Sequence, residues 1–280
     1  MDGIIIVDKP KDYTSRDIVN IISKKLHTKK VGHTGTLDPN ATGVLVLCIG
    51  KATKLVDLLT STYKEYIAEV TLGIKTDTLD SMGIVLEKKD VSINNTDILK
   101  ALDNFKGKYM QEVPLYSAVK INGMKLYEYA RNDIHVELPK REVEIKEIEL
   151  LNIANNIFTF RTVVSKGTYI RSLVKDICTS LNTIGMMSNL RRVKQGTFDI
   201  KDAYTLDDIL NDNFKIMSIE DALSNIYKVD MNDELYKKVS NGVKLDNIYN
   251  KDMVLFKYNG TVVALYKNDN NILKMYKMFN

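Results

Sequence analysis

Cysteine and histidine are scarce in this sequence, with two cysteines and three histidines among 280 residues. Cys48 and Cys178 lie in apolar segments, and neither has a neighbour at the spacing that a zinc site or a disulfide framework needs. His27, His33 and His135 also lack the spacing of metal ligands. The sequence therefore predicts reduced, buried thiols, a cytoplasmic protein and no metal site.

Long apolar runs and cofactor motifs are missing as well. The apolar run at residues 4–7 is too short for a signal peptide or a membrane span. Ala52 stands where a phosphate-binding loop at Gly50-Lys51 needs serine or threonine, and neither a Rossmann fingerprint nor a Gly-x-Ser-x-Gly elbow occurs. These absences exclude a nucleotide triphosphatase and predict no membrane partner.

The most unusual segment that is present is a loop at residues 32–43, which contains three glycines, three threonines and a proline. The apolar run 44–49 follows it directly and predicts a buried strand. Loops held by core strands often carry catalytic residues, and Asp38 is the one carboxylate in this loop. On composition alone, a tight turn in which Asp38 caps the backbone of Asn40 or Ala41 explains the loop equally well.

Basic residues cluster near this loop, although the net charge of the chain is only +4. Lys24, Lys25, Lys29 and Lys30 precede the loop, and Arg191, Arg192 and Lys194 form a second group. Either group alone is typical of a solvated surface. Two groups beside candidate site segments favour a polyanionic partner.

Hydrophobic periodicity predicts an α+β fold. Strands are predicted at residues 3–8, 44–49, 63–73, 143–150 and 157–165, and helices at 15–26, 96–105 and 169–181. Thr14 and Asp17 have the spacing of a capping box at the first helix. A change of parity predicts a β-bulge near Lys146-Glu147. The helix at 96–105 is expected to bury Ile98, Leu99, Leu102 and Phe105.

Two single residues stand out within these elements. Tyr66 points toward the core at the beginning of its strand, where a buried tyrosine with a satisfied hydroxyl is the common case. Arg171 lies in the first turn of the helix at 169–181, where the helix dipole disfavours a cation. We therefore expect a carboxylate near Arg171, which is a mild indication of function.

Domain organisation follows from changes in composition. Residues 114–141 mix aromatic and basic side chains, a pattern that suits RNA contact and equally suits an ordinary hairpin with a short helix. After about residue 227 the chain predicts a helix at 233–240, a hairpin that turns at Asn259-Gly260 and a third strand at 272–278. We expect a catalytic domain at 1–227 and a small, mostly-β domain at 228–280.

Taken together, the motifs resemble those of the TruB family of tRNA pseudouridine synthases. The segment Gly32-His33-Thr34-Gly35-Thr36-Leu37-Asp38-Pro39-Asn40-Ala41-Thr42-Gly43 is similar to the family's catalytic motif. The other motifs follow in the family's order: Val7-Asp8-Lys9-Pro10 with Thr14-Ser15, Lys64-Glu65-Tyr66, Tyr116-Ser117-Ala118-Val119-Lys120, Leu126-Tyr127-Glu128-Tyr129-Ala130-Arg131, Ser165-Lys166-Gly167-Thr168-Tyr169-Ile170-Arg171 and Leu190-Arg191-Arg192. The resemblance covers nearly the whole chain. Two positions depart from it: Asp12 replaces a usual glycine, and Val113-Pro114 replaces a Pro-Pro pair.

The resemblance implies a pseudouridine-synthase fold, with a mixed, largely antiparallel sheet, flanking helices, an RNA-contacting insertion at about 114–141 and a PUA-like, RNA-binding C-terminal domain. It implies a monomer that uses no cofactor and acts on the uridine at position 55 in the T-loop of tRNA. The uracil is detached from its ribose, turned and rejoined through carbon 5. Because the base must first leave its stack, we expect it to flip into a pocket.

The resemblance also implies roles for individual residues. Asp38 would attack the base or the ribose, or remove a ribose proton. Arg171 would be a bidentate countercharge that keeps this carboxylate ionised beside RNA phosphates. Tyr66 would stack on the base and help to move the proton of carbon 5. The implied substrate-binding residues are His33, Lys9, Pro10, Leu190 and Lys64; for His33, a loop-stabilising hydrogen bond is the alternative.

Two other functions compete with this one. The first is a tRNA-binding or tRNA-folding module whose isomerase activity is secondary or lost, against which the intact set of Asp38, Tyr66 and Arg171 argues. The second is a synthase that acts on another RNA, such as ribosomal RNA. The insertion and the C-terminal segment favour tRNA through the resemblance alone.

Overall fold

A mixed sheet of nine strands is the frame of the molecule, for which the computed structural model describes residues 1–280. The elements around it are, in chain order, β1 (Gly3–Lys9), α1 (Ser15–Lys25), β2 (Val31–His33), β3 (Thr42–Ile49), α2 (Val56–Thr60), β4 (Lys64–Leu72), β5 (Ile74–Thr76), β6 (Val85–Lys88), α3 (Asn95–Asn104), β7 (Gly107–Glu112), β8 (Lys120–Ile121), β9 (Met124–Lys125), α4 (Leu126–Arg131), β10 (Lys140–Ala154), β11 (Ile157–Val164), α5 (Ile170–Ser180), β12 (Gly185–Gln195), β13 (Phe198–Asp199), α6 (Leu206–Leu210) and α7 (Ile219–Ala222). The predicted α+β class is confirmed, and all eight elements predicted in this part of the chain are present.

The order of the strands is β1-β3-β12-β4-β11-β10-β7, with β2 paired to β3 and β13 paired to β12. All of these pairs are antiparallel except β3 with β12, which are parallel and pair only through Thr42 with Arg191 and Gly43 with Arg192. The predicted mixed, largely antiparallel sheet is confirmed. The short parallel contact brings the loop that precedes β3 against β12 and β4.

Local sequence signals explain several of these elements. Thr14 and Asp17 form the predicted capping box at the start of α1. The pairing of β10 with β11 shifts register between Ile145 and Glu147, which confirms the predicted bulge. The expectation for Leu99 is wrong, because its side chain on α3 is 51% exposed. The helix packs instead through Ile98, Ala101 and Leu102.

Strand β3 is buried on both faces, which explains its continuous apolar sequence. Val44 and Val46 face one hydrophobic cluster, and Leu45 and Leu47 face another that includes residues of α1. The first cluster also contains Leu255, Leu265 and Phe279 from the C-terminal part of the chain. The strand that follows the loop at 32–43 is therefore held firmly from both sides.

The C-terminal part forms its own sheet. Its elements are β14 (Tyr227–Asp230), α8 (Asp233–Ser240), β15 (Leu245–Asp246), β16 (Met253–Tyr258), β17 (Thr261–Asp269) and β18 (Ile272–Met278). The predicted helix, hairpin and third strand are present, and Asn259 and Gly260 both have the positive φ that a tight hairpin turn needs. The short edge strands β14 and β15 were not predicted. The division at residues 227 and 228 remains a prediction, because the two parts share the cluster described above. None of the helices combines the length and apolarity that crossing a membrane requires.

Candidate active site

The loop at 32–43 is fixed by backbone hydrogen bonds and by α1. Ser15, at the start of α1, accepts a hydrogen bond from the Leu37 amide at 2.9 Å. The turn after Asp38 closes through the Ala41 amide, which donates to the Asp38 carbonyl at 3.0 Å. The Asp38 carboxylate takes no part in this turn, so its interpretation as a backbone cap is wrong. The carboxylate is left to interact across the cleft.

The end of this loop permits only glycine at position 43. Gly43 has a φ of 101°, and a Cβ atom there would lie 2.2 Å from the carbonyl oxygen of Arg192. This close approach is where β3 meets β12 in the short parallel contact. A side chain at residue 43 would push the two strands apart and displace the loop that carries Asp38.

The two departures from the family pattern are accommodated locally. Asp12 has a φ of 69°, a conformation that favours glycine and that aspartate tolerates. Its amide donates to the carbonyl of Pro39 in the loop at 2.8 Å. Val113 is fully buried, and its amide donates to the Pro139 carbonyl at 2.9 Å, a bond that proline does not make. Both substitutions keep the surrounding loops connected.

One cavity of about 350 Å³ opens beside Asp38. Asp38, Tyr66, Arg171 and Leu190 all contribute to its wall. The structure thus brings together residues that are far apart in the sequence, from the loop before β3 and from β4, α5 and β12. The insertion contributes Tyr116, Ser117, Ala118 and Tyr127, and the segment before α5 adds Thr168 and Tyr169.

Arg171 lies between two carboxylates. Its Nε is 3.0 Å from Oδ2 of Asp38 and 3.8 Å from Oδ2 of Asp80. Its two terminal nitrogens donate to the carbonyl oxygens of Thr78 and Tyr116, both at 3.1 Å. The expected bidentate contact with Asp38 is therefore wrong, because the backbone already occupies the terminal nitrogens. The expected carboxylate near this first-turn cation is present.

Asp80 was not singled out by the sequence, because a polar turn with this composition is ordinarily solvated. In the structure it is buried in the turn between β5 and β6, and its side chain is 7% exposed. Its Oδ1 accepts hydrogen bonds from the Thr78 hydroxyl at 2.6 Å and the Met82 amide at 3.0 Å. Leu79, between them, has a φ of 64°, which is rare for a bulky residue and is typical of functional turns. This turn holds Arg171 through the Asp80 carboxylate and the Thr78 carbonyl.

Tyr66 is buried and pairs with Arg192 across β4 and β12. The Arg192 guanidinium is itself buried, with one terminal nitrogen 3.5 Å from the Tyr66 hydroxyl. Its other donors bind the carbonyls of Val44 at 2.7 Å and Gly35 at 3.0 Å. The expectation that the second basic group lies at a polyanion-binding surface is wrong for Arg192. This side chain fastens the loop at 32–43 and Tyr66 to the sheet.

Lys9 and Lys64 lie outside the wall of this cavity and are bound by the backbone. The Lys9 ammonium donates to the carbonyls of Pro10, Tyr13 and Pro39 at 2.8, 2.7 and 3.2 Å. The Lys64 ammonium donates to the carbonyls of Thr60 and Thr62 at 3.0 and 3.1 Å. Burial lowers the pKa of each side chain to about 8. Both lysines hold loops in place, and neither lines the cavity beside Asp38.

Pro10 and His33 are also outside the cavity beside Asp38. Pro10 lines a second cavity of about 380 Å³ together with Arg191, which forms an ion pair with Asp8 at 2.7 Å. His33 ends β2, and its Nδ1 is buried without a hydrogen-bond partner. Burial lowers the pKa of His33, and the nearby cations Arg16 and Arg192 lower it further. Histidine at this position is thus held toward its neutral form.

Between pH 7.5 and 9.5 the free energy of unfolding of the wild-type protein is expected to increase relative to that of a Lys64→Met variant. Burial lowers the pKa of the folded-state ammonium from 10.5 to about 8, so between these values the unfolded chain binds the additional proton. The cost of burying the charge, which is full below pH 8, is relieved as pH increases. Urea unfolding at pH 7.5 and 9.5 should show a relative gain of at most about 2 kcal/mol. Lys29→Met, which removes an exposed lysine, is the control, and equal trends for both variants would contradict the prediction.

Known protein families and individual proteins are similar to this chain along most of its length. The model of the TruB family pseudouridylate synthase (N terminal domain) matches residues 23–170, more than half of the chain, and that of the tRNA pseudouridylate synthase B C-terminal domain matches residues 171–227. A protein named tRNA pseudouridine synthase B from Caldicellulosiruptor saccharolyticus is 46% identical over 242 residues, which cover 86% of this chain and 83% of that one. The protein of the same name from Bacillus subtilis is 41% identical over 286 residues, which cover 95% and 93%.

Solved structures give the same result for the fold. A chain in the crystal structure of a Cbf5-Nop10-Gar1 complex superimposes with a TM-score of 0.76 and 27% identity, over 99% of this chain and 85% of that one. A chain from an H/ACA RNP bound to a substrate RNA containing 2′-deoxyuridine gives 0.75 and 26%, over 99% and 85%. Sequence and fold agree that this chain belongs to the TruB family of pseudouridylate synthases.

Proposed function

We propose that this protein isomerises the uridine at position 55 in the T-loop of tRNA to pseudouridine. The observation that carries the proposal is the single cavity in which Asp38, Tyr66, Arg171 and Leu190 meet. Its volume of about 350 Å³ lies at the small end of ligand pockets, which suits one flipped nucleotide. The tRNA substrate is favoured by 41–46% identity with proteins named tRNA pseudouridine synthase B, against 26–27% with the chains of the Cbf5 and H/ACA structures.

The reaction breaks the bond between N1 of uracil and C1′ of ribose and forms a bond between carbon 5 and C1′. Carbon 5 loses a proton and N1 gains one, so no electrons are exchanged with a cofactor. Asp38 supplies the electron pair that starts the process, toward the base, the ribose carbon or a ribose proton. Its side chain is 35% exposed at the cavity, which leaves one side open to substrate.

Arg171 and Asp80 keep Asp38 ready for this step. RNA that covers the Asp38 carboxylate would exclude water from it, and an unpaired charge without water is destabilised. The Arg171 guanidinium at 3.0 Å supplies the opposite charge. Asp80 and the Thr78 carbonyl fix the guanidinium in turn. Through this contact the β5–β6 turn supports the attacking group.

Tyr66 and Leu190 form the base-binding part of the cavity. The Tyr66 ring stacks on the flipped uracil, and its hydroxyl helps to move the proton of carbon 5. Arg192 holds this hydroxyl in place from the sheet side at 3.5 Å. Leu190, which also lines the cavity, supplies an apolar contact to the base. Lys9 bonds the loop at 32–43 through the Pro39 carbonyl, and Lys64 bonds the segment that precedes β4. Direct contact of His33, Lys9, Pro10 and Lys64 with RNA remains a prediction.

The test is to map pseudouridine in a T-stem-loop RNA incubated with the purified protein and no additives. We expect one pseudouridine, at the uridine that corresponds to position 55. RNA that is bound but unmodified would favour the tRNA-binding module instead. Modification of a ribosomal RNA fragment in preference to the T-stem-loop would move the substrate to another RNA class.

A further inference from the structure

Gln111 is a fully buried amide on a core-facing position of β7. Tyr109, two residues earlier, points to the same face of the sheet and packs against the hydrophobic cluster that α3 and α5 share. Gln111 thus replaces an apolar side chain at the edge of this cluster. Because buried polar groups are nearly always hydrogen-bonded, the partners of such a residue indicate its role.

The side chain of Gln111 pairs with both backbone groups of one residue. Its Oε1 accepts from the Tyr169 amide at 2.8 Å, and its Nε2 donates to the Tyr169 carbonyl at 3.2 Å. Nε2 also donates to the Tyr109 hydroxyl at 2.6 Å. Because a backbone amide only donates, the oxygen of Gln111 has to be the atom that faces it. The amide group therefore binds Tyr169 as a neighbouring strand would.

Tyr169 is the residue at which α5 begins, and it lines the cavity that contains Asp38. No side chain caps this helix from position 169. The Tyr169 carbonyl accepts the first helical bond, from the Leu173 amide at 3.0 Å, whereas its own amide is one of the donors that a helix start leaves without a helical partner. Gln111 satisfies this donor, two residues before Arg171.

The ring of Tyr169 is held from the neighbouring strand. Arg141 on β10 pairs directly with Gln111 on β7, so the two side chains point to the same face of the sheet. The Arg141 guanidinium is 5.4 Å from the centre of the Tyr169 ring. One pair of facing residues thus holds both the backbone and the ring of Tyr169 in the cavity wall.

The rest of α5 is attached to β7 by separate contacts. The Ser172 hydroxyl donates to the Glu112 carbonyl at 2.8 Å, and Lys175 forms an ion pair with the Glu112 carboxylate at 2.6 Å. These contacts do not depend on the side chain of Gln111. Loss of Gln111 should therefore release Tyr169 and the start of the helix while α5 as a whole stays in place.

We propose that Gln111 is a positioning residue, which fixes Tyr169 in the cavity wall and with it the first turn of α5 that carries Arg171. The proposal rests on the function proposed above, because this wall surrounds the uridine that reacts. Gln111 is not itself part of the wall, so it acts through Tyr169. Displacements of about 1 Å in an active site can lower a rate on the order of 100-fold.

The experiment measures the single-turnover rate and the dissociation constant of the T-stem-loop RNA for each variant. Gln111→Met keeps the length of the side chain and removes its three hydrogen bonds. We expect the rate to fall roughly 10- to 100-fold, and the dissociation constant to stay within about threefold of wild type. The matched control is Tyr109→Phe, which removes one partner of Gln111 and leaves both bonds to Tyr169, so its rate should stay within about threefold of wild type.

Thermal unfolding of each variant reports whether it is folded, and Gln111→Glu replaces Gln111→Met if that variant does not fold. Its carboxylate still accepts from the Tyr169 amide but has no hydrogen for the Tyr169 carbonyl, so the rate should fall at least about threefold with binding unchanged. A wild-type rate for the folded Gln111 variant, a loss in binding alone, or an equal loss of rate for Tyr109→Phe would overturn the positioning role. Pseudouridine formed by the wild-type protein would in each of these cases leave the proposed function standing.

Discussion

Asp38→Asn is expected to abolish isomerisation, with a fall in rate of at least about 1,000-fold, while RNA binding changes little. Asparagine has nearly the same shape, and the turn that follows depends on the Asp38 carbonyl rather than on its side chain. The loop should therefore keep its conformation. What is lost is the electron pair of the carboxylate. Release of tritium from carbon 5 of labelled uridine, measured in single turnover, gives the rate.

The matched control for this prediction is Asp12→Asn. It removes the same charge from an exposed position in a neighbouring loop, and asparagine tolerates the positive φ of Asp12. The amide of residue 12 would still donate to Pro39. Turnover close to wild type is expected for this control. Normal pseudouridine formation by Asp38→Asn would refute the assignment of Asp38, whatever the control shows.

Local sequence signals were sufficient to predict much of the fold. The capping box of α1, the β10–β11 bulge and the Asn259-Gly260 turn each depend on a few adjacent residues, and each was predicted. The same holds for the apolar strand β3, since burial on both faces leaves a continuous run in the sequence. Of these elements, β3 is the one that directly follows the loop at 32–43.

Strand β12 was not predicted, although it is central to the sheet. Two register shifts, between Met187 and Asn189 and between Arg192 and Lys194, interrupt the alternation that identifies a strand. The sequence also suggested that Arg192 belongs to a basic group on the surface. In the structure its guanidinium is buried against backbone carbonyls. Only tertiary structure provides those acceptors. The parallel contact between β3 and β12 depends on this strand. The geometry of the site therefore could not be predicted from sequence patterns alone.

The immediate surroundings of Asp38 were predicted in part. Arg171 was expected to have a carboxylate neighbour because its place in the first turn of α5 opposes the helix dipole. The second carboxylate, Asp80, comes from a turn between β5 and β6 that carries no strong signal. The family resemblance implied a bidentate contact between Arg171 and Asp38. The structure gives that contact to Nε alone and assigns the terminal nitrogens to the carbonyls of Thr78 and Tyr116.

This arrangement makes Arg171→Lys the second variant with a large expected effect. A lysine keeps the charge, but its single ammonium does not reach all three groups that the guanidinium contacts, which are the Asp38 carboxylate and the carbonyls of Thr78 and Tyr116. Either Asp38 loses its countercharge, or the carbonyls of Thr78 and Tyr116 lose their donors and the turn that carries Asp80 loosens. We expect the single-turnover rate to fall on the order of 100- to 1,000-fold, since each lost charged hydrogen bond costs about 1.5–3 kcal/mol.

Arg161→Lys is the matched comparison for this last variant. Arg161 on β11 donates to Glu65 at 2.6 Å and to Glu147 at 2.9 Å, so it is also a guanidinium between two carboxylates, but it lies outside the cavity wall. Its replacement should leave the rate within about threefold of wild type, because these partly exposed ion pairs involve no residue of the cavity wall. If Arg171→Lys turned over as fast as Arg161→Lys, charge alone would be sufficient beside Asp38. The planar guanidinium of Arg171 would then stabilise only the β5–β6 turn. The Asp38 carboxylate would react without a donor fixed in one direction.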